Sequence, residues 1–224
     1  MTTIKNIESF VYRYPLSKPV ITSFGVMDNR PMLILKITDN NGMYGWGEVW
    51  CNFPLTGAEH RAKLIDNVFK PLLANFNIIT PEKTYEYLVS KTKILSIQSG
   101  EPGPIAQCIA GIDIAVHDLI GKVENISLWK KFGGNKNIIP CYASGINPTK
   151  PELTVKDAIK KGYSSFKLKI GFGLKKDLGN IKEIKNILPE KSSLMVDANQ
   201  AWNLNEAIEA CKLLELSLIH ISEP

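Results

Sequence analysis

The rhythm of apolar and polar positions changes about halfway along the chain. IESFVYRYPL (7–16) and PMLILKITDNNGMYGWGEVW (31–50) alternate with period two, the mark of half-buried strands. Asn40-Asn41-Gly42 supplies the turn of a hairpin inside the second stretch. The period then becomes helical, with helices expected at about 57–74 and 81–92. The clearest helix spans 105–123, where Ile105, Cys108, Ile109, Ile112, Val116, Leu119, Ile120 and Val123 keep the i, i+3, i+4, i+7 spacing of one buried face. Strands followed by helices, rather than interleaved with them, predict an α+β unit.

After LWKKFGGN the two periods interleave. IIPCYASGI (138–146), SSFKLKIG (164–171), SSLMVDAN (192–199) and SLIHI (217–221) read as strands. Helices are expected between them at 151–161, 175–187 and 203–215. Short strands alternating with helices of roughly 12 residues are the signature of βα units and a parallel sheet. The expected organisation is therefore an α+β domain over residues 1–125 and a βα domain over residues 126–224, with the boundary near 125–138.

Within SSFKLKIG, Phe166, Leu168 and Ile170 alternate with Lys167 and Lys169. Both ammonium groups leave the strand on one face, about 7 Å apart along it. Such a face is wet if the sheet is open and becomes an interior if the sheet closes into a barrel. Chemistry in βα units collects at the C-terminal ends of the strands. Lys167 and Lys169 end the second strand, and Asp197 and Asn199 end the third, so neighbouring strands would bring all four to one mouth. Asp197 has a competing use as an N-cap for the next helix, but Asn203 is better placed for that role. His60, His117, Asp113 and Asp118 read as structural, and the glycines of GFG (171–173) as a tight βα turn.

Composition narrows the class without naming a reaction. The 224 residues are 44% hydrophobic and 22% charged, ordinary for a globular chain, with a formal net charge of +5. Lysines are interspersed with acids, which gives no nucleic-acid footprint. The N-terminus lacks a signal-peptide core, and no stretch has the apolar length of a membrane span. Four scattered cysteines without a CxxC pair suggest reduced thiols in a cytoplasmic protein.

Read together, GWGEV (45–49), GIDIAVHDLIGK (111–122), LWKKFGG with CYASG (128–145), the K-x-K of FKLKIG and LMVDANQAW (194–202) resemble the enolase superfamily, specifically the mandelate racemase/muconate lactonizing enzyme group. The resemblance implies an α+β capping domain followed by a (β/α)₈ (TIM-type) barrel. It implies Mg²⁺-dependent removal of the proton α to a carboxylate, through an enediolate, in a racemase or epimerase, a cycloisomerase or a sugar-acid dehydratase. The residue types suit that chemistry. A dianionic intermediate requires preorganised positive charge, which a hard cation on carboxylate ligands provides. A lysine base must be neutral near pH 7, although a free lysine titrates near about 10.4, and neighbouring cations favour the neutral form. By motif position Lys169 resembles the base, and Lys167 the partner that favours the neutral amine and contacts the substrate carboxylate. Asp197 resembles the first metal ligand and Asn199 a polar substrate contact. PVITSFGVMDN (19–29) and NFPLTGAEH (52–60) correspond to loops that close over substrate, with Ser23 and Phe24 offering a hydroxyl and an aromatic wall. The partners so implied are a small carboxylate substrate and, for the full-length parent, copies of itself, with no nucleic acid or membrane.

The chain departs from that pattern by offering four of eight barrel strands, so it reads as a truncated N-terminal fragment that is inactive alone. The resemblance implies further acidic ligands ending the fourth and fifth strands and a second acid/base on the far side of the substrate. Glu223, 26 residues past Asp197, matches the fourth-strand ligand. LSLIHISEP (216–224) also resembles translated sequencing-adapter DNA; on that reading residues from about 216 are not native and Glu223 matches by coincidence. The alternative from another class is a non-catalytic binding or scaffold module that retains the fold.

Overall fold

The computed structural model describes the backbone of residues 2–22, 25–215 and 220–223, and the side chains of residues 2–20 and 25–214. The chain forms two compact units, one of Met1–Leu16 with Asn29–Lys136, the other of Ser17–Asp28 with Asn137–Pro224.

The first unit is built on the strands β1 (Thr2–Thr22), β2 (Gly25–Asp39), β3 (Tyr44–Val49) and β4 (Asn77–Ile78). The sheet order is β3-β2-β1-β4. The β2–β3 hairpin is antiparallel from Leu33↔Val49 to Thr38↔Tyr44, and Gly42 takes the positive φ its turn requires. The helices are α1 (Gly57–Leu64), which continues through a π-helical turn (Ile65–Phe69) into α2 (Lys70–Leu73), then α3 (Pro81–Ser99), α4 (Pro102–Val123) and α5 (Leu128–Lys131). α3 runs seven residues past the end expected at 92 because no helix breaker occurs before Gly100, which adopts the left-handed C-terminal position at φ 67°. Its start is set by Thr80, whose hydroxyl accepts the Lys83 N–H, with Pro81 in the first turn.

α4 carries the predicted apolar face except at its last residue, Val123, which is exposed, and Ile105, Cys108, Ile112, Val116 and Leu119 pack with Leu33, Leu35, Ile37 and Val49 in one core. Contrary to the expectation that no stretch is long and apolar enough to span a membrane, this helix passes that test by length and composition, but half of its most apolar stretch is buried inside the unit, as for a core helix. The contact explains GWGEV. Gly45 and Gly47 face α4 so closely that a Cβ on Gly47 would collide with the Gly111 carbonyl, and one on Gly45 with the Ala115 carbonyl. Trp46, between them, and Glu48, after them, point outward. The exposed edge of β3 is also covered: Asp118 accepts the Trp46 N–H at 2.7 Å, and Lys122 donates to the Tyr44 carbonyl at 3.1 Å. Gly47→Ala should therefore cost about 3 kcal/mol or more, since the obstructing atoms are backbone. An unchanged denaturant midpoint would show that the helix is not seated on that glycine.

The second unit interleaves β5 (Ala143–Ile146), α6 (Pro151–Lys160), β6 (Ser165–Lys169), α7 (Leu174–Lys185), β7 (Ser193–Asp197), α8 (Leu204–Glu215) and β8 (His220–Glu223). The strands are parallel in the order β5-β6-β7-β8, four of the eight that close a barrel. β5 is shorter than the stretch expected at 138–146. Pro140 has no N–H for a ladder, and Gly145 at φ 74° accompanies a register shift between Ala143 and Ile146. One face of the sheet is dry: Phe166, Leu168, Leu194 and Val196 pack with Val155 of α6, Ile181 and Ile184 of α7, and Leu214 of α8. The opposite face carries Ser165, Lys167 and Lys169 beside Ser193, Met195 and Asp197.

Candidate active site

Parallel register pairs Lys167 with Met195 and Lys169 with Asp197. Both lysines therefore reach the C-terminal end of the sheet on the face without helices. They do not stand in open water. Their side chains are only 12% and 20% exposed, and that of Asp197 is 5% exposed. One carboxylate oxygen, Asp197 Oδ2, lies 3.4 Å from Lys167 Nζ and 3.1 Å from Lys169 Nζ. Lys169 donates a second hydrogen bond to Asn199 Oδ1 at 2.7 Å. The other oxygen, Asp197 Oδ1, accepts the Asn199 N–H at 2.9 Å.

The loop after β7 is bent to make these contacts. Asn199 and Gln200 take φ 49° and 60°, two consecutive residues in the left-handed region that side chains with a Cβ disfavour. Asp197 is not spent on α8. Asn203 Oδ1 accepts the Glu206 N–H at 3.0 Å and Glu206 returns the bond to the Asn203 N–H at 2.8 Å, a reciprocal cap.

Charge is shared strongly in this cluster. Burial alone would push the Asp197 carboxyl up, but the Asn199 N–H, the Lys169 hydrogen bond and both ammonium charges hold it below the usual carboxylate value. Burial alone would lower Lys167, but a hydrogen bond to Tyr142 and the Asp197 charge outweigh it and raise its affinity for the proton. The Lys167 Nζ also lies 5.3 Å from the centre of the Tyr142 ring. Tyr142 was not legible as a site residue, because an aromatic beside a strand reads first as core.

Lys167, Lys169, Asp197 and Asn199 are thus brought together. Ser23 and Phe24 lie outside the described residues. Glu223 is aligned with Asp197 by the backbone register of β7 and β8, while its side chain lies outside the described residues. In the other proposed loop segment, Arg13 fixes the chain by donating to both Glu59 oxygens (2.6 and 2.7 Å) and to the Leu55 carbonyl (2.7 Å). His117 stays with the first unit, 3.8 Å from Asp113.

The donor set can be set against a magnesium ion. Asp197 is the right kind of ligand, a carboxylate at the mouth of the sheet, and Glu223 shares its level. Hard cations take about six oxygen donors, several of them often water. Among the described residues no three His, Cys, Asp or Glu side chains cluster to hold a metal. The carboxylate at this mouth therefore fits such an ion in chemistry.

Two family models match the sequence: "Mandelate racemase / muconate lactonizing enzyme, N-terminal domain" over residues 6–133, and "Enolase C-terminal domain-like" over residues 152–224. The fold is similar to a solved mandelate racemase/muconate lactonizing enzyme from Bordetella bronchiseptica RB50, with 40% identity and a TM-score of 0.88 over 97% of this chain and 57% of that one. It is also similar to a racemase from Streptomyces coelicolor A3(2) solved with bound magnesium, at 28% identity and a TM-score of 0.86, covering 97% and 61%. A curated relative, the 3,6-anhydro-alpha-L-galactonate cycloisomerase of Streptomyces coelicolor, is 28% identical over 99% of this chain and 62% of its own length. Other curated relatives are racemases, epimerases and a dehydratase. The chain spans about three fifths of the length of these relatives.

Proposed function

The chain belongs to the mandelate racemase/muconate lactonizing enzyme family of the enolase superfamily, and from that premise we propose that it carries the lysine-bearing half of a site that removes the proton α to a carboxylate. The observation that supports this is the cluster itself: two lysines on the helix-free face of a parallel sheet, at the catalytic end, held by one buried carboxylate. An exposed sheet face has no use for such an arrangement, because surface ion pairs contribute little.

On this reading Lys169 takes the proton. As the neutral amine it donates its two hydrogens to Asp197 Oδ2 and Asn199 Oδ1, which aims the remaining lone pair of Nζ at the substrate proton. Lys167, kept cationic by Tyr142 and Asp197, meets the substrate carboxylate. Asp197 and Glu223 would hold Mg²⁺. The bound ion would act as a Lewis acid on the substrate carboxylate and stabilise the developing negative charge.

The product is not set by these residues; racemisation or epimerisation, cycloisomerisation and dehydration share this first step. The further acidic ligand and the second acid/base that the family resemblance implies are not assigned to any described residue, and the chain spans about three fifths of its relatives' length; we assign activity to the complete gene product, in the cytoplasm and as a homo-oligomer. The 224 residues made alone should turn over no carboxylate. The test incubates the complete gene product in D₂O with Mg²⁺ and a panel of small α-hydroxy, aldonic and N-acyl amino acids. Exchange of the α-proton that stops on adding EDTA is the expected result. No exchange with any of them, from a folded protein that binds Mg²⁺, would favour a scaffold that keeps the fold.

A further inference from the structure

The turn that follows Lys169 is tied down from two sides. Asp177, in the first turn of α7, is 4% exposed. Its Oδ2 accepts the N–H groups of Gly171 at 3.0 Å and Phe172 at 3.2 Å, and its Oδ1 faces the Phe172 N–H at 3.3 Å. The Asp177 N–H returns a bond to the Gly173 carbonyl at 3.0 Å. On the other side, the Ile170 N–H donates to the Asp197 carbonyl at 3.0 Å. Gly171, at φ 91°, has no room for a side chain: a Cβ there would lie 2.8 Å from the Ala201 Cβ and 3.0 Å from the Ala198 carbonyl. The turn therefore rests directly on the loop that carries Asn199.

A buried carboxylate is an expensive way to hold a turn. Burial pushes the Asp177 carboxyl up, against the pull of the two amides and Lys176. A neutral Asn or Ser would satisfy such a turn at lower desolvation cost. What the charge adds is strength, since hydrogen bonds to an ionised acceptor are roughly twice as strong as neutral ones, and it sits at a helix N-terminus that favours it.

We propose that Asp177 is a positioning residue for the base: by clamping the Gly171 and Phe172 amides it fixes the exit of β6, and so holds the Lys169 ammonium between Asp197 and Asn199. The inference rests on the reading of Lys169 as the base. Two variants of the complete gene product test it, Asp177→Ala and Asp177→Asn, each read by α-proton exchange kinetics and by crystal structure. Asp177→Ala should lower kcat by about 10–100-fold, the usual loss when a group orienting a reactive residue is removed, with KM within about threefold. Lys169 Nζ should leave its contacts to Asp197 and Asn199. Asp177→Asn can keep an oxygen at the Oδ2 position for both amides but removes the charge and turns an NH2 toward the Phe172 N–H at the Oδ1 position, so its loss should be smaller and of the same kind. Where the Ala variant does not fold, the Asn variant decides by the same readouts. A folded variant with unchanged kcat and an unmoved Lys169, or one in which only KM or thermal stability changes, overturns the proposal. If the proposed reaction is itself wrong, the unsubstituted protein exchanges no proton, while the position of Lys169 in the variant structures still decides what Asp177 does.

Discussion

Replacing Lys169 by alanine in the complete gene product should lower kcat by about 10²–10⁴-fold, the range over which a positioned general base acts. Exchange of the substrate α-proton with D₂O on the face that Lys169 serves should disappear. The structure sharpens this expectation, because the same ammonium makes two hydrogen bonds, to Asp197 at 3.1 Å and to Asn199 at 2.7 Å. Loss of activity could therefore reflect a disturbed cluster instead of a missing base. Lys169→Arg separates the two. A guanidinium keeps the positive charge and can still donate to both acceptors, but it does not deprotonate in a protein. It should restore much of the thermal stability lost in the alanine variant and none of the exchange. Undiminished exchange in either variant would remove Lys169 from the role of base.

The second large effect is expected at Asp197. Asp197→Asn keeps an oxygen for the Asn199 N–H but removes the negative charge that, among the described residues, faces both lysines. In EDTA the variant should lose about 1–3 kcal/mol, the cost of leaving mostly buried donors without a matched acceptor. The full cost of breaking a buried pair should not appear, since both lysines retain some access to water. Mg²⁺ affinity should fall by at least about 100-fold, because an amide oxygen is a poor substitute for a carboxylate on a hard cation, and even groups that only orient ligands cost 10–100-fold when removed. Calorimetric titration with Mg²⁺ distinguishes the two roles. Coincident binding curves for wild type and variant would leave Asp197 as a structural counter-ion to the lysines and nothing more.

Much of this protein was legible in the order of its residues. Period-two and period-3.6 patterns located the hairpin, the core helix α4 and the interleaved strands and helices of the second unit, because each pattern fixes which face can be buried. The alternation in FKLKIG placed both lysines on one face, and Asn203 was legible as the cap of α8. Other features needed the folded chain. The extent of α3 depended on a left-handed glycine, and that of β5 on a proline and a bulge, none of which changes hydrophobic periodicity. GWGEV could be recognised as a motif, but its glycines are explained only by the backbone of α4 lying against them. The sequence placed Lys167, Lys169, Asp197 and Asn199 at strand ends; that a single Asp197 oxygen bridges both lysines follows from the register of β6 against β7. Tyr142 and Asp177 carry no sequence signal, since an aromatic next to a strand and an acid in a first helical turn are common everywhere. Tyr142 matters through its distance to Lys167, 25 positions on, which exists only once the parallel strands are side by side, and Asp177 matters because its carboxylate folds back onto the Gly171 and Phe172 amides of the turn before it.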